Sequence, residues 1–280
     1  MKIAAVQMDV KIFDRPGNLA RILAHLEAAA RAGAHLAVFP ECALSGYCFN
    51  SYGEALPESE TVPGPSTGQI AALARELDIT AVVGLLERDG ENIYNAAAII
   101  SPQGVLGTHR KVHVLCLGID RFDTPGDKPF PVFQTPSARV GVNICYDCSF
   151  PESGRVVKLR GANVLAIPTN WPIGSDSWQH IPKVRAIENH LVVVAADRIG
   201  EERGFRFAGH SQIVNYNGQV LGELGETEEA ILYGDVDIAA TDDNRVVRVP
   251  DEWEFNRIEG RRPEMYTAIT EKARTSAQRC

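Results

Sequence analysis

Three residues of this chain carry the chemistry needed for covalent hydrolysis: Glu41, Lys111 and Cys145. A cysteine becomes a strong nucleophile once its thiol is ionised. A carboxylate held against it can take the proton. A lysine ammonium lowers the thiol pKa and then stabilises the oxyanion of a tetrahedral intermediate. The backbone N–H of Tyr146, next after the cysteine, is a natural second donor to that oxyanion. Taken singly, each residue has a plainer reading. A lone cysteine at a strand end is more often packing than chemistry. A glutamate after Phe39-Pro40 is usually a solvated loop residue, and Lys111 sits in a basic cluster with His109 and Arg110. What sets the three apart is context. Each stands where a strand-like segment ends and a loop begins, and α/β proteins gather their functional groups at strand ends.

The elements that must position these groups follow from hydrophobic period and turn chemistry. Residues 2–10 alternate and predict a strand; Leu19, Ile22, Leu23, Leu26 and Ala30 recur at helical spacing, with Gly33 as the stop. A short apolar strand at 35–40 then carries Glu41. Residues 42–66 read as a long loop rich in Gly and Pro, a length that in compact domains is often functional. A helix over 66–77 and a strand over 80–86 follow. Strands near 93–100 and 104–112 are joined by the turn Pro102-Gln103-Gly104, and Lys111 ends the second. After a loop at 113–130, a buried strand over 140–144 ends at Cys145. A helix to about 160, a strand at 163–168, a helix at 178–189 and a strand at 191–196 come next. Strands at 209–216 and 219–224 flank the hairpin signal Asn217-Gly218, and a last one spans 230–237. The strand–helix–strand pattern occurs twice, around 2–41 and 140–196. Two mixed sheets packed face to face with helices outside fit this order. We assign residues 1–240 to one domain and 241–280 to a polar, irregular tail.

The bulk composition bounds the partners. The 280 residues carry 28 basic and 36 acidic side chains, a net charge of −8, which argues against nucleic acid or an anionic membrane as the main partner. It leaves an amine-bearing substrate open. No run approaches the length of a membrane span, and the N-terminus lacks the pattern of a secretory signal. With six cysteines in a chain of this length and no signal, reduced thiols and a cytoplasmic location are expected.

The motifs around the three residues are Phe39-Pro40-Glu41-Cys42-Ala43-Leu44-Ser45-Gly46-Tyr47, Arg110-Lys111-Val112-His113, Asn143-Ile144-Cys145-Tyr146-Asp147 and Phe150-Pro151-Glu152. In this order and at these separations they resemble the nitrilase superfamily of carbon–nitrogen hydrolases, over about residues 1–240. Thr124-Pro125-Gly126-Asp127, Arg185-Ala186-Ile187-Glu188-Asn189 and Gly209-His210-Ser211 add lesser matches. The resemblance implies a four-layer α-β-β-α sandwich and a Glu-Lys-Cys triad. Glu41 would be general base and then acid, Lys111 would hold the oxyanion, and Cys145 would form a thioester, with no cofactor or metal. It further implies a homo-oligomer, with dimers formed through the helices after residues 150 and 177, and leaves the tail with Trp253, Phe255 and Tyr266 to dock on its own domain or a partner subunit.

Many relatives carry a second glutamate shortly after the lysine. Leu117-Gly118-Ile119-Asp120-Arg121-Phe122 has none, and Asp120, one methylene shorter, is the nearest acid. Candidate contacts to substrate are Tyr47, Asp120, Tyr146, Asn170 and Trp171. Glu152 reads as a helix-start residue favoured by the N-terminal dipole, with a substrate contact as the alternative, and Phe205-Arg206-Phe207 as a surface loop, with the border of the entrance as the alternative. A rival reading takes Cys145-Tyr146-Asp147-Cys148 as a redox pair or half a zinc site. No second C-x-x-C exists, and the seven histidines lack matching spacing. The reaction expected is conversion of a small carboxamide to acid and ammonia, with a nitrile or an N-carbamoyl amine as the alternative substrate.

Overall fold

Period-two alternation builds the first sheet. In the computed structural model, which describes residues 1–175 and 178–271, Lys2–Gln7 forms β1. Its Ile3 and Ala5 point to one buried cluster and its Ala4 and Val6 to another. The chain continues through α1 (Arg15–Arg31), β2 (Leu36–Val38), α2 (Tyr52–Ala55), α3 (Pro65–Leu77), β3 (Thr80–Asp89), β4 (Asn92–Ser101) and β5 (Gly104–Arg110). A second series follows: β6 (Val132–Gln134), β7 (Arg139–Val142), α4 (Pro151–Leu159), β8 (Val164–Thr169), α5 (Ile181–Asn189) and β9 (Val192–Asp197). The small hairpin β10 (Glu201–Glu202) and β11 (Phe205–Arg206) precedes β12 (Gln212–Val214), β13 (Val220–Glu223) and β14 (Ala230–Asp235). Each of α1, α3, α4 and α5 has a proline in its first turn, where the missing N–H costs nothing.

The strands form two six-stranded sheets, ordered β14-β1-β2-β3-β4-β5 and β13-β12-β9-β8-β7-β6. In each, three consecutive strands run parallel (β1, β2, β3 and β7, β8, β9) with antiparallel neighbours outside. The sheets face one another. Ile3, Leu36, Val38 and Val82 meet Val140, Val142 and the β8–β9 strands in one core. Leu19, Ile22 and Leu26 of α1 and Ile70 and Ala74 of α3 cover the outer face of the first sheet. Val157 of α4 and Ala186 of α5 belong to the core on the second. β9, Val192-Val193-Val194-Ala195-Ala196 and Asp197, is buried along its whole length, as a parallel strand covered on both faces must be. This is the four-layer α-β-β-α sandwich expected.

Several segments differ from the sequence reading, among them α2 within the expected 42–66 loop and the unforeseen strand β6. The last strands are shorter, with β12 confined to Gln212–Val214 and a register irregularity between Ile213 and Val214 in its pairing with β13. The tail is not wholly irregular. Arg245–Val249 (β15) and Trp253–Asn256 (β16) pair as a hairpin, two strands that the charged residues among them hid from a hydrophobic-period reading. Phe205-Arg206-Phe207 is not a plain surface loop. Phe205 is exposed, but Phe207 is buried beneath the Arg198 guanidinium, 4.1 Å from its ring centroid. Among the described residues no helix is long and apolar enough to cross a membrane.

Candidate active site

The fold brings the ends of β2, β5 and β7 together. Glu41 lies three residues beyond β2, in a turn fixed by Phe39 N–H to Val82 O (2.8 Å) and Leu44 N–H to Gly84 O (3.2 Å). This turn presses on Gly84. A Cβ there would stand 2.3 Å from Pro40 O and 2.7 Å from Glu41 Cα, so only glycine admits the approach. Lys111 follows β5 directly and its N–H donates to Asn95 O at 2.8 Å. Gly126 N–H donates to Lys111 O at 2.7 Å, and a Cβ on Gly126 would stand 2.3 Å from Arg110 O. The Thr124-Pro125-Gly126-Asp127 motif therefore clamps the lysine's backbone. Cys145 opens a tight turn after β7 with φ +45°, a left-handed conformation that a side-chain-bearing residue adopts only when its surroundings impose it.

The charged groups are wholly buried. Lys111 Nζ donates to Glu41 Oε1 (2.7 Å) and to Asp120 Oδ2 (2.6 Å). Asn95 Nδ2 donates to the same two carboxylates, at 2.6 Å to Glu41 Oε1 and 3.0 Å to Asp120 Oδ1, and Leu115 N–H donates to Asp120 Oδ2 at 3.1 Å. Asp120 thus sits behind the lysine rather than on a cavity wall, and it touches Lys111 despite its shorter side chain. Glu41 Oε2 is buried and has no hydrogen-bond partner among the described residues. Burial pushes the Glu41 carboxyl up, and the Asp120 charge adds to that; the Lys111 ammonium acts against both. Burial alone would lower Lys111, but Asp120 and Glu41 outweigh it and hold the ammonium charged. Burial also raises the Cys145 thiol, with Glu41 adding and Lys111 opposing.

Two groups that the sequence reading missed hold this arrangement. Asn95 is the lone amide in the apolar run Ile93-Tyr94-Asn95-Ala96-Ala97-Ala98, and a polar residue buried mid-strand requires partners. Asp147 joins the lysine's strand to the cysteine's turn. It accepts from the N–H groups of Val112 (3.2 Å), His113 (3.0 Å) and Ile144 (3.2 Å), and bonds His109 Nε2 (3.0 Å) and His113 Nδ1 (2.8 Å). Burial would raise its carboxyl, yet the two imidazoles and the backbone donors hold it well below the usual range. Asp147 stood in the Cys145 motif, but nothing local revealed its partners 34 to 38 residues away.

Cys145 lines a cavity of about 300 Å³. Tyr47, Leu115, Leu117 and Tyr146 form one part of its wall; Ser149, Asn170, Trp171, Pro172 and Ser175 form another. Tyr47 is fixed by Glu202, whose carboxylate accepts the Tyr47 and Cys48 N–H groups at 3.0 and 2.9 Å. The Asn170–Trp171 segment is tied down by Trp171 N–H to Asp197 Oδ1 at 3.1 Å, and the Trp171 ring stacks on Trp178 at 5.4 Å. Both side-chain polar atoms of Asn170 and Nε1 of Trp171 are buried without partners among the described residues. A larger cavity, about 480 Å³, lies between α4 and the tail beside Glu152, Arg155 and Tyr266; Cys145 borders the smaller cavity and not this one.

Cys145 and Cys148 are separate free thiols, as are Cys42 and Cys48, all buried. Cys116 is not among the free thiols, so the expectation of reduced thiols does not hold for it, and Cys280 lies outside the described residues. Among the described residues no group of three or more His, Cys, Asp or Glu is placed to hold a metal ion.

Known proteins with this pattern agree on the family. The model of the carbon-nitrogen hydrolase family matches residues 2–245. A protein of Pyrococcus abyssi named nitrilase is 35% identical over 263 residues, 92% of this chain and 98% of its own. The human omega-amidase NIT2 is 33% identical over 253 residues, 85% of this chain and 88% of its own. Among solved structures, an amidase from Nesterenkonia sp. superposes with a TM-score of 0.79 at 27% identity, covering 96% of each chain. Another structure of the Nesterenkonia sp. AN1 amidase shows acrylamide added to its active-site cysteine (TM-score 0.78, 26% identity, 96% of this chain and 99% of that one). This chain belongs to the carbon-nitrogen hydrolase family, within the nitrilase superfamily, and is a hydrolase of carbon–nitrogen bonds.

Proposed function

We propose that the protein is an amidase that converts a small carboxamide to its acid and ammonia through a thioester on Cys145. The observation that carries this reading is the state of Glu41. One of its oxygens is held by Lys111 and Asn95, while Oε2 is buried and unpartnered. A raised carboxyl with one open oxygen suits proton transfer in both directions. Glu41 takes the Cys145 proton as sulfur attacks the amide carbon. The carbonyl oxygen becomes an oxyanion held by Lys111 and the Tyr146 N–H. Glu41 then gives its proton to the leaving nitrogen, and the C–N bond breaks to release ammonia. Water, deprotonated by Glu41, attacks the thioester; the C–S bond breaks and the acid leaves with the thiol restored. Asp120 holds Lys111 in place, and Tyr47, Asn170 and Trp171 contact the substrate.

Relatives named omega-amidase and structural neighbours that are amidases support the amide reading. A relative named nitrilase supports the second reading, hydrolysis of a nitrile by the same three groups. The test is ammonia release across matched amides, nitriles and N-carbamoyl amines, with mass spectrometry searching for an acyl adduct on Cys145. Release from amides that disappears in Cys145→Ala is expected, and release that persists there refutes the mechanism. Cys148→Ser should keep activity, which a redox role for the pair would not allow. Homo-oligomerisation and a cytoplasmic location belong to the same proposal. Leu159 on α4 and Val184 on α5 are exposed, as are Trp253 and Met265 in the tail, which supports assembly. Elution as a monomer at micromolar concentration would count against it.

A further inference from the structure

Cys145 is reached from two sheets. The first supplies Glu41 after β2 and Lys111 after β5, and the second supplies Cys145 itself after β7. In that second sheet β8 lies beside β7 and parallel to it, with Val142 opposite Ala166 and Asn143 N–H donating to Ala166 O at 3.0 Å. Cys145 and Thr169 each stand three residues beyond that pair, so the register sets them side by side. Thr169 closes β8, is wholly buried, and pairs with Asp197 at the end of β9. Asp197 Oδ1 accepts the N–H groups of Trp171 (3.1 Å) and Arg198 (2.8 Å), which ties the chain after Thr169 to that strand end. Two donors therefore meet the sulfur from the end of β8: the Thr169 hydroxyl and the Asn170 N–H. Burial and the Glu41 charge disfavour the thiolate, whereas Lys111, the Thr169 hydroxyl and the Asn170 N–H favour it. Thr169 Oγ1 makes no hydrogen bond to any other group among the described residues. A threonine placed here only for packing would leave its hydroxyl desolvated for nothing, since valine has the same shape.

We propose that Thr169 is a further catalytic residue, its hydroxyl joining the Asn170 N–H to hold the Cys145 sulfur wherever that sulfur carries negative charge. The inference rests on the reading of Cys145 as the nucleophile and deepens it. As Glu41 takes the thiol proton, the S–H bonding pair stays on sulfur and then forms the C–S bond. In the second half the oxygen of water takes the acyl carbon, the C–S pair returns to sulfur, and sulfur regains a proton from Glu41. Thr169 and Asn170 keep their own protons throughout. The two atoms that gain charge then have separate donors. The oxyanion has Lys111 and the Tyr146 N–H, and the sulfur has Thr169 and Asn170. A hydrogen bond to a charged acceptor is the strong kind, so the hydroxyl acts most where the thiolate forms and where it leaves.

The titratable groups facing the thiol are Glu41, Lys111 and the Tyr47 phenol. None of them is altered in Thr169→Val, which keeps the shape and removes only the hydroxyl. Alkylation of Cys145 by iodoacetamide in the full-length protein, followed by mass spectrometry of the Cys145 peptide from about pH 6 to 10, reads thiolate formation without any turnover. In Thr169→Val the alkaline rise of the rate should shift upward by about one pH unit, a tenfold loss of thiolate at a given pH. Thr169→Ser retains the hydroxyl and should cancel most of that shift, which a packing role for the methyl group would not allow. A Thr169→Val profile within about 0.3 pH unit of the wild type overturns the proposal, and so does a Thr169→Ser profile displaced as far as that of Thr169→Val. Thr169→Ala takes the place of the valine variant in the same comparison should that one not fold. On an amide, kcat of Thr169→Val should fall at least about tenfold with KM within about threefold; a loss confined to KM overturns the role. The alkylation arm stands even if no amide is hydrolysed, so failure of the amidase reading and failure of this inference are read separately.

Discussion

Replacing Asp120 by Asn tests the least expected part of the site. Asp120 makes three polar contacts: Lys111 Nζ at 2.6 Å, Asn95 Nδ2 at 3.0 Å and Leu115 N–H at 3.1 Å. An asparagine has the same shape but no charge. Whichever way its amide turns, its NH2 faces another donor, the Lys111 ammonium or the Asn95 amide. The variant therefore loses at least one charge-assisted bond, about 1.5–3 kcal/mol. If that bond holds the lysine where the oxyanion forms, the whole loss falls on the transition state, and kcat drops about 10- to 150-fold. The pH profile carries a second signature. Asp120 raises both Glu41 and Lys111, so its removal should move the acid and alkaline limbs of kcat/KM to lower pH. Asp120→Glu keeps the charge, and should stay within about tenfold of the wild type, because its extra methylene only requires a shift of the turn at Leu115–Asp120. The assay is initial-rate ammonia release across both limbs, with thermal melting to confirm folding. A kcat within about threefold of wild type and two unmoved limbs would refute the positioning role of Asp120.

Gly84→Ala should displace the Glu41 turn, because the new Cβ would meet Pro40 O at 2.3 Å and Cys42 N at 2.5 Å. We expect a stability loss of about 1–3 kcal/mol in urea unfolding and a fall in kcat, with alkylation of Cys145 retained. Asp147→Asn should cost about 2–4 kcal/mol, because the buried carboxylate holds two imidazoles and three N–H groups. Its folded carboxyl is depressed, so its stabilising effect is present above the unfolded carboxyl value and is lost only as pH falls toward the folded one. The difference between variant and wild type should therefore persist at about pH 4 in denaturant titrations. Asp123 is the opposite case: burial and the Asp120 charge raise it to about 8. A raised carboxyl stabilises the fold below its unfolded value and loses that effect as pH rises through the folded one. Asp123→Asn should thus be more stable than wild type by at least about 1 kcal/mol at pH 9, with the gap shrinking toward pH 5. A gap that does not change with pH would contradict the assignment.

Much of this protein was legible in its sequence for reasons that are local. Alternation in residues 2–10, helical spacing from Leu19 to Ala30 and continuous apolar runs such as Leu191–Ala196 report which face of each element is buried, and so predict the paired sheets. Glu41, Lys111 and Cys145 were found because each stands at a strand end within an ordered motif. The β15–β16 hairpin escaped because exposed strands need not alternate, and Phe207 escaped because its burial depends on Arg198, nine residues earlier. The support beneath the triad was not readable at all. Asn95 bonds Glu41 across 54 residues and Asp147 reaches His109 across 38, and nothing in either neighbourhood names those partners. The chain order alone specifies which residues have chemical capacity. Tertiary structure decides which of them share a buried volume, because a carboxylate, an ammonium and a thiol perturb one another only once packing has removed the water between them. That is also why Asp120 could be named from the sequence as a nearby acid, while its place behind Lys111, off the cavity wall, was decided by the turn that carries it.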